Sequence, residues 1–113
     1  MRQVALSLTA VAALVVGLPA YAEDMLARGE AVYRGTCIAC HGIDGAGVMP
    51  GVSDLTTGAL AKADAVLIES LRRGISMPGA ALAMPPRGGN PALTDEDLRA
   101  VLYYMRRRFS AGQ

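Results

Sequence analysis

Cys37-Ile38-Ala39-Cys40-His41 is the stretch that decides how this chain folds and what it can hold. The two thiols lie three positions apart, and the histidine directly follows the second cysteine. On one helical turn, this spacing lets both thiols form thioethers to the two vinyl groups of one haem, while the imidazole of His41 reaches the iron from one face of the ring. The motif therefore predicts one covalent haem c, with His41 as an axial ligand.

Three other roles are open to cysteines at this spacing. A thioredoxin-like dithiol requires a strand–helix–strand setting, whereas the residues before Cys37 have a helical pattern. Structural zinc requires four ligands, and the whole chain has two cysteines and one histidine. A nucleophilic cysteine requires a histidine base from elsewhere in the fold, and His41 is too close in sequence to serve easily. Haem attachment is the interpretation that uses all three side chains.

The N-terminus has the pattern of a secretory signal peptide. Arg2 precedes an apolar stretch over residues 4–18, and the small-x-small sequence Ala20-Tyr21-Ala22 follows. We expect residues 1–22 to be cleaved, which leaves residues 23–113 as one exported, periplasmic domain without a stable membrane anchor. An uncleaved anchor is the alternative, but the apolar run is shorter than the roughly 20 residues that a spanning helix prefers.

Composition limits the partners of residues 23–113. Cleavage removes Arg2 and no acidic residue, so ten basic and ten acidic residues remain. A neutral domain argues against nucleic acid as a partner, because nucleic acids are bound by a basic face. With no tryptophan and one phenylalanine, a domain of this size needs extra apolar bulk, which a covalent haem supplies.

The regular segments all have helical patterns, which predicts an all-α fold. A first helix is expected from Asp24, as its cap, to about Gly35. A second is expected over Ala59–Arg73, with Gly74 as its C-terminal cap. A third begins at the acidic sequence Thr94–Asp97 and ends at Arg106–Arg108. The glycine-rich and proline-rich segments between them are expected to be loops: residues 42–58 and 75–92.

The second axial ligand has to come from a distant segment, because the chain has one histidine. The donor is methionine, lysine, a terminal amine, water or nothing. Met25 and Met105 lie at apolar helix positions, as core residues do. Met49 follows His41 closely and is expected on the histidine side of the haem. Two methionines of the proline-rich loop remain: Met77 and Met84.

Local stiffness favours Met84 as the ligand. Pro85 and Pro86 follow it, and they restrict two successive φ angles and hold Met84 in extended geometry. A stiff segment loses less entropy when it places a sulfur on iron. Met77 is followed by one proline and then by Gly79, which is a softer frame, and it stays the alternative ligand.

The chain resembles the small bacterial class I c-type cytochromes with one haem. The matching stretches span nearly the whole of residues 23–113: Gly29–Tyr33, Cys37–Gly42, Ala83–Asn90, Leu93–Leu98 and Tyr103–Met105. The resemblance implies a cytochrome c fold, in which three to four helices wrap around the haem and the first and last helices cross at Gly29. It also implies that Tyr33 packs against Val101 and Tyr104. A proline carbonyl, best matched by Pro50, would accept the Nδ1–H of His41 and keep Nε2 on the iron.

One-electron transfer without substrate turnover is the expected function, so we do not expect an enzyme. A thioether ligand favours Fe(II) and raises the reduction potential, and a six-coordinate iron cannot bind a substrate without losing a ligand. The alternatives are a haem subunit of a multi-component dehydrogenase or oxidase, and a haem-based sensor of small ligands. The expected partners are a redox protein donor and acceptor, with an acidic docking patch facing three arginines around the proline-rich loop: Arg72, Arg73 and Arg87.

Overall fold

Four α-helices make up most of the regular structure in the computed structural model, which describes Gln3 and residues 17–110. They are α1 (Gly17–Val32), α2 (Ile38–His41), α3 (Asp64–Arg73) and α4 (Asp95–Phe109). A π-helical turn, Tyr33–Cys37, joins α1 to α2, and a 3₁₀ turn covers Pro86–Gly89. In the described residues, an isolated bridge between Ile75 and Met84 is the nearest approach to a strand pair. The all-α prediction is confirmed.

The crossing of α1 and α4 brings two backbones unusually close at Gly29. A Cβ atom on Gly29 would lie 2.1 Å from the carbonyl oxygen of Ala100 and 2.7 Å from Cβ of Tyr104. Atoms of this kind do not approach so closely, so a residue without a side chain is required there. The predicted crossing at a glycine is thus present.

The core lies beside that crossing and is built around three aromatic rings. Tyr33 is almost fully buried, and its ring centroid lies 5.6 Å from that of Tyr104 and 5.2 Å from that of Phe109. Tilted pairs at such distances contribute about 0.5–1.5 kcal/mol each beyond the area they bury. Leu98 and Val101 of α4 are equally buried in the same cluster. The packing of Tyr33 on Tyr104 agrees with the expectation.

α1 begins earlier than predicted. It starts at Gly17, so Asp24 lies inside the helix and does not cap it. Residues 17–23 are helical and continue into Asp24 without a break. Most of the predicted signal peptide lies outside the described residues, and its cleavage stays a prediction. None of the helices within residues 17–110 is long and apolar enough to cross a membrane.

α3 begins five residues later than predicted, at Asp64 and not at Ala59. The difference comes from α4: Arg106 donates hydrogen bonds to the carbonyl oxygens of Leu60 and Lys62, at 3.2 and 2.7 Å. These bonds hold that stretch in turns and take up carbonyls that a helix would use. At the other end, Gly74 caps α3 as predicted, with a φ of 80°.

α4 begins as predicted because its start is coded locally. The hydroxyl of Thr94 accepts the N–H of Asp97 at 3.1 Å, and the carboxylate of Asp97 accepts the N–H of Thr94 at 2.8 Å. This reciprocal capping box satisfies two N–H groups that the first turn leaves open. Three acidic residues in the first turn and three arginines in the last complement the helix dipole.

Candidate haem site

The two thiols and the imidazole of the motif share one helical segment. Cys37 is the last residue of the π-helical turn and is buried, whereas Cys40 lies on α2 and is exposed. Burial raises the pKa of the Cys37 thiol to about 11. Reactive cysteines and thioredoxin-like dithiols need a lowered thiol pKa. The environment of Cys37 therefore disfavours nucleophilic and dithiol chemistry and is compatible with a tethering role.

The ring of His41 is held by one hydrogen bond. Its Nδ1 lies 3.1 Å from the carbonyl oxygen of Ser53. A carbonyl only accepts, so Nδ1 carries the proton and the lone pair of Nε2 is left for a metal. Burial lowers the pKa of His41, and the bond to Ser53 opposes that shift. A neutral imidazole with Nε2 free is the form that haem iron requires.

The carbonyl that accepts the hydrogen bond of His41 therefore belongs to Ser53. The resemblance had implied the carbonyl of Pro50, and that expectation is wrong. The loop after α2 first folds back on the helix, since Gly47 and Val48 donate to the carbonyls of His41 and Cys40 at 2.8 and 3.0 Å. A turn then follows, and it leaves Pro50 exposed. The carbonyl that reaches the ring lies three residues beyond Pro50.

Tyr33 anchors the residue that follows the motif. Its hydroxyl donates to the carbonyl of Gly42 at 2.6 Å in a buried setting, and burial raises the pKa of the phenol. A buried bond of this kind contributes about 1 kcal/mol, and more is lost when the carbonyl is left unpaired. Tyr33 was predicted only as a packing residue. Its aromatic type and position gave no sign of this bond, because the turn at Gly42 depends on the folded loop.

Met84 and Met77 both lie in residues 75–84, a short excursion of the chain that leaves the end of α3 and returns to it. Met84 exchanges two backbone hydrogen bonds with Ile75, at 2.8 and 2.9 Å, directly after the end of α3. Its residue is half-buried. Met77 lies at the turn of the excursion, where its residue is 66% exposed. The backbone of Met84 is thus held in place, while Met77 is on the less restrained side.

The segment after Met84 contacts the residue that precedes the motif. A Cβ on Gly88 would lie 2.7 Å from the methyl group of Thr36, and the amide of Asn90 donates to the hydroxyl of Thr36 at 3.4 Å. The structure therefore brings the methionine-bearing segment to the same end of the molecule as Cys37. The sequence gives no sign that Thr36 has this contact.

Several exposed apolar side chains lie near the motif and could cover a haem. They lie on the two loops beside the motif: Ile43, Val48, Met49, Ile75, Met77 and Leu82. The loops meet where a Cβ on Gly51 would lie 3.9 Å from the side chain of Leu82. Adjacent exposed apolar groups mark a ligand or interaction surface. Together with two thiols, an imidazole Nε2 and a thioether, they fit a c-type haem.

Two open grooves of the described residues lie elsewhere. One follows the solvent side of α3, and the larger, of about 920 Å³, lies between α1, α3 and α4. Neither is lined by any of the four predicted haem residues. The chemistry of the motif, and not the size of a groove, identifies the site.

The three arginines predicted to face an acidic partner all have carboxylate partners within the chain. Arg72 contacts Glu69 and Asp95, Arg73 contacts Glu69, and Arg87 contacts Asp95. Their charge is therefore largely balanced where it lies. Arg73 is the most exposed of the three side chains, at 80%.

Comparison with known protein families supports the same conclusion as the geometry. The profile of a family described as cytochrome c oxidase, cbb3-type, subunit III, matches residues 24–105. The chain belongs to this family of c-type cytochromes. The cytochrome c fold expected from the sequence is thereby confirmed. A c-type cytochrome of this kind binds haem c, transfers electrons, and exchanges them with redox partners. Comparisons with curated proteins and with solved structures find no match.

Proposed function

We propose that this c-type cytochrome is a periplasmic one-electron carrier, with one haem c attached through Cys37 and Cys40 and ligated by His41 and Met84. The observation that carries the proposal is the state of His41. Its Nδ1 is occupied by a backbone carbonyl, and its Nε2 is left free within a motif that supplies two thiols. No other residue of the chain combines these properties, since the chain has one histidine.

The bound haem supplies exchange of one electron between Fe(III) and Fe(II). The residues of the chain hold that centre. Cys37 and Cys40 tether it to the helical segment, and the carbonyl of Ser53 keeps the ring of His41 in one tautomer and orientation. The soft thioether of Met84 would bind the iron, favour its reduced state and exclude substrates and small ligands from it.

Two features support Met84 over Met77 as the sixth ligand. Met84 precedes two prolines, and its backbone is bonded in both directions to Ile75. Both restraints lower the entropy lost on ligation. Met77 precedes one proline, its carbonyl accepts one backbone bond, from Ala80, and it lies at an exposed turn. A sulfur on iron therefore costs less to position from residue 84.

A haem subunit of a larger oxidase is the second candidate. The printed description of the matching family, subunit III of a cbb3-type oxidase, favours it. Both candidates use the same haem chemistry, and they differ in whether the domain diffuses or stays docked. Co-purification of the native protein with membrane subunits after mild detergent extraction supports the docked form, whereas recovery as a lone polypeptide supports the carrier.

Export and cleavage are part of the proposal. They rest on the apolar stretch of residues 4–18 and on the sequence Ala20-Tyr21-Ala22. The mass of the protein isolated from the periplasm should equal that of a polypeptide beginning at Glu23 plus one haem. A mass that corresponds to a polypeptide beginning at Met1 would contradict the predicted cleavage but would leave the haem assignment in place.

Visible spectra of the purified protein test the ligation. Oxidised wild-type protein should show the weak near-infrared-edge band of sulfur-ligated ferric haem, and reduced protein should not bind carbon monoxide. Met84→Ala should abolish the band and open the iron to carbon monoxide. Met77→Ala is the matched control and should change neither. The reverse pattern would assign the ligand to Met77, and carbon monoxide binding by wild-type protein would favour the sensor.

A further inference from the structure

Arg87 lies in a backbone conformation that costs energy. Its φ of 54° and ψ of 31° are left-handed, and it is the one non-glycine residue with positive φ among the described residues. Gly88 and Gly89, which follow, also have positive φ. A side chain other than glycine is strained by about 1–2 kcal/mol in this region. The side chain of Arg87 must offset that strain by the contacts it makes.

Those contacts join the segment after Met84 to the start of α4. The guanidinium of Arg87 donates to the carbonyl oxygen of Leu93 at 2.7 Å and to Asp95 at 2.9 Å. Its side chain is 24% exposed, the lowest value among the arginines that pair with Asp95. A rigid fork that serves two acceptors is what arginine provides and lysine does not.

Asp95 also holds the end of α3. Arg72 donates to its two carboxylate oxygens at 3.0 and 3.3 Å. Arg72, and after it Arg87, keep the pKa of Asp95 below its ordinary value, so the carboxylate is charged at neutral pH. One side chain thus connects a helix end to the methionine-bearing segment.

The connection closes a ring of contacts around Met84. Two residues after Arg72 the chain reaches Gly74, where a Cβ would lie 2.5 Å from the carbonyl oxygen of Met84. Ile75 then exchanges backbone bonds with Met84. From Met84 the chain runs through the two prolines to Arg87, and so back to Asp95. Met84 cannot move away from α3 without stretching this ring.

We propose that Asp95 is a positioning residue for Met84: by holding Arg87 and Arg72 together, it keeps the Met84-Pro85-Pro86 segment against the end of α3 and so limits exchange of Met84 for another iron ligand. The inference rests on the proposed function, in which Met84 is the sixth ligand. External imidazole binds ferric iron only after Met84 has left. Its apparent affinity therefore reports the fraction of molecules in which the segment is released.

The test is a spectroscopic titration of the oxidised holoprotein with imidazole. Arg87→Gln and Asp95→Asn should each raise the apparent affinity roughly three- to tenfold. The effect of the double variant should fall short of the product of the two single effects, because both changes break the bond between Arg87 and Asp95. Arg87→Lys, which keeps one charged donor, should fall between wild type and Arg87→Gln. Arg87→Gly, which removes the strain along with the contacts, should still bind imidazole more tightly than wild type.

Two controls separate positioning from general stability. Arg28→Gln removes an arginine that pairs with Asp97, in the same first turn of α4, at 2.7 Å. Glu96→Gln removes a neighbouring carboxylate of that turn. Arg28→Gln removes one positive charge, as Arg87→Gln does, and Glu96→Gln removes one negative charge, as Asp95→Asn does. Neither control touches the ring around Met84, so both should bind imidazole as wild type does, even where the melting temperature falls.

Two outcomes would overturn the inference. If Arg87→Gln and Asp95→Asn bind imidazole no more tightly than the controls, the ring does not hold Met84, although Met84 can still be the ligand. If oxidised wild-type protein lacks the sulfur–iron band, the assignment of Met84 is wrong, and the positioning role falls with it.

Discussion

The helical segment that carries the thiols and His41 packs on α4 through buried aromatic rings, whereas residues 75–93 around Met84 are largely exposed and held by hydrogen bonds and ion pairs. The first region buries its apolar side chains against the chain itself. The second leaves Met77 and Leu82 exposed, with the haem as the surface they can cover. The histidine side should therefore persist without haem, while the methionine side should depend on it.

Loss of the covalent tether should have the largest effect. Replacing both Cys37 and Cys40 with alanine should abolish haem that survives acid-acetone extraction, because no other thiol is present to form a thioether. Intact mass should show the bare polypeptide. Amide hydrogen exchange should then rise most in residues 75–93 and least in α4. Equal loss of protection in both regions would contradict the difference between them, and extractable haem from wild-type protein would end the covalent assignment.

Gly29→Ala should destabilise the crossing of α1 and α4, on which the histidine-bearing segment packs. The new Cβ would meet the backbone of Ala100 at 2.1 Å, so the helices must separate, at a cost of about 3 kcal/mol in unfolding free energy. Gly35→Ala is the matched control, because no atom lies within 4 Å of its Cβ, and alanine favours a helix over glycine by about 1 kcal/mol. Denaturant unfolding of the two variants measures both. Similar stabilities would show that the crossing is looser than described.

Gly74→Ala should affect the methionine side alone. With φ of 80° and ψ of 175°, residue 74 lies where side chains cost about 1–3 kcal/mol, and the new Cβ would also press on Met84. The sulfur–iron band should weaken while covalent haem stays complete. Gly79→Ala shares the positive φ but has open space around it, so it should keep the band. Loss of the band in Gly79→Ala would mean that backbone strain anywhere in residues 75–84 is enough to displace Met84, without direct pressure on that residue.

The smallest effect concerns docking. All three arginines of that set pair with carboxylates of the chain, but Arg73 has by far the most exposed side chain, at 80%. Arg73→Glu should slow electron transfer to an acidic partner by roughly twofold at low salt, and the difference should vanish at high salt. Stopped-flow measurements over a series of ionic strengths check this. A rate that does not depend on salt would remove acidic docking and leave the haem assignment unaffected.

The sequence predicted those parts whose causes are local. The start of the last helix at Thr94, the cap at Gly74 and the spacing from Cys37 to His41 each depend on residues within a few positions. The glycine at the helix crossing came from the family resemblance and has the same simple cause, a missing side chain. All of these are present in the structure.

The parts that sequence reasoning missed depend on contacts between distant residues. α3 starts late because Arg106, more than forty positions away, holds the carbonyls before it. His41 bonds to Ser53 and not to Pro50, because the loop first turns back on α2. The three arginines were predicted to face a partner protein. Each of them pairs with a carboxylate of the chain, and one of these carboxylates, Asp95, lies on another helix. No local pattern contains such partners.

The π-helical turn sets the direction in which the motif faces. The N–H of Ile38 bonds to the carbonyl of Tyr33, five residues back, so this turn holds one residue more than an α-helical turn. Each residue rotates a helix by about 100°. The extra residue shifts the phase of everything after it, while Gly29 keeps its own face on α4. A chain without Gly35 would keep every residue of the crossing and of the motif, yet would turn the thiols and His41 by roughly 100° relative to α4. The direction in which the thiols and His41 point is thus determined by the π-helical turn that precedes them.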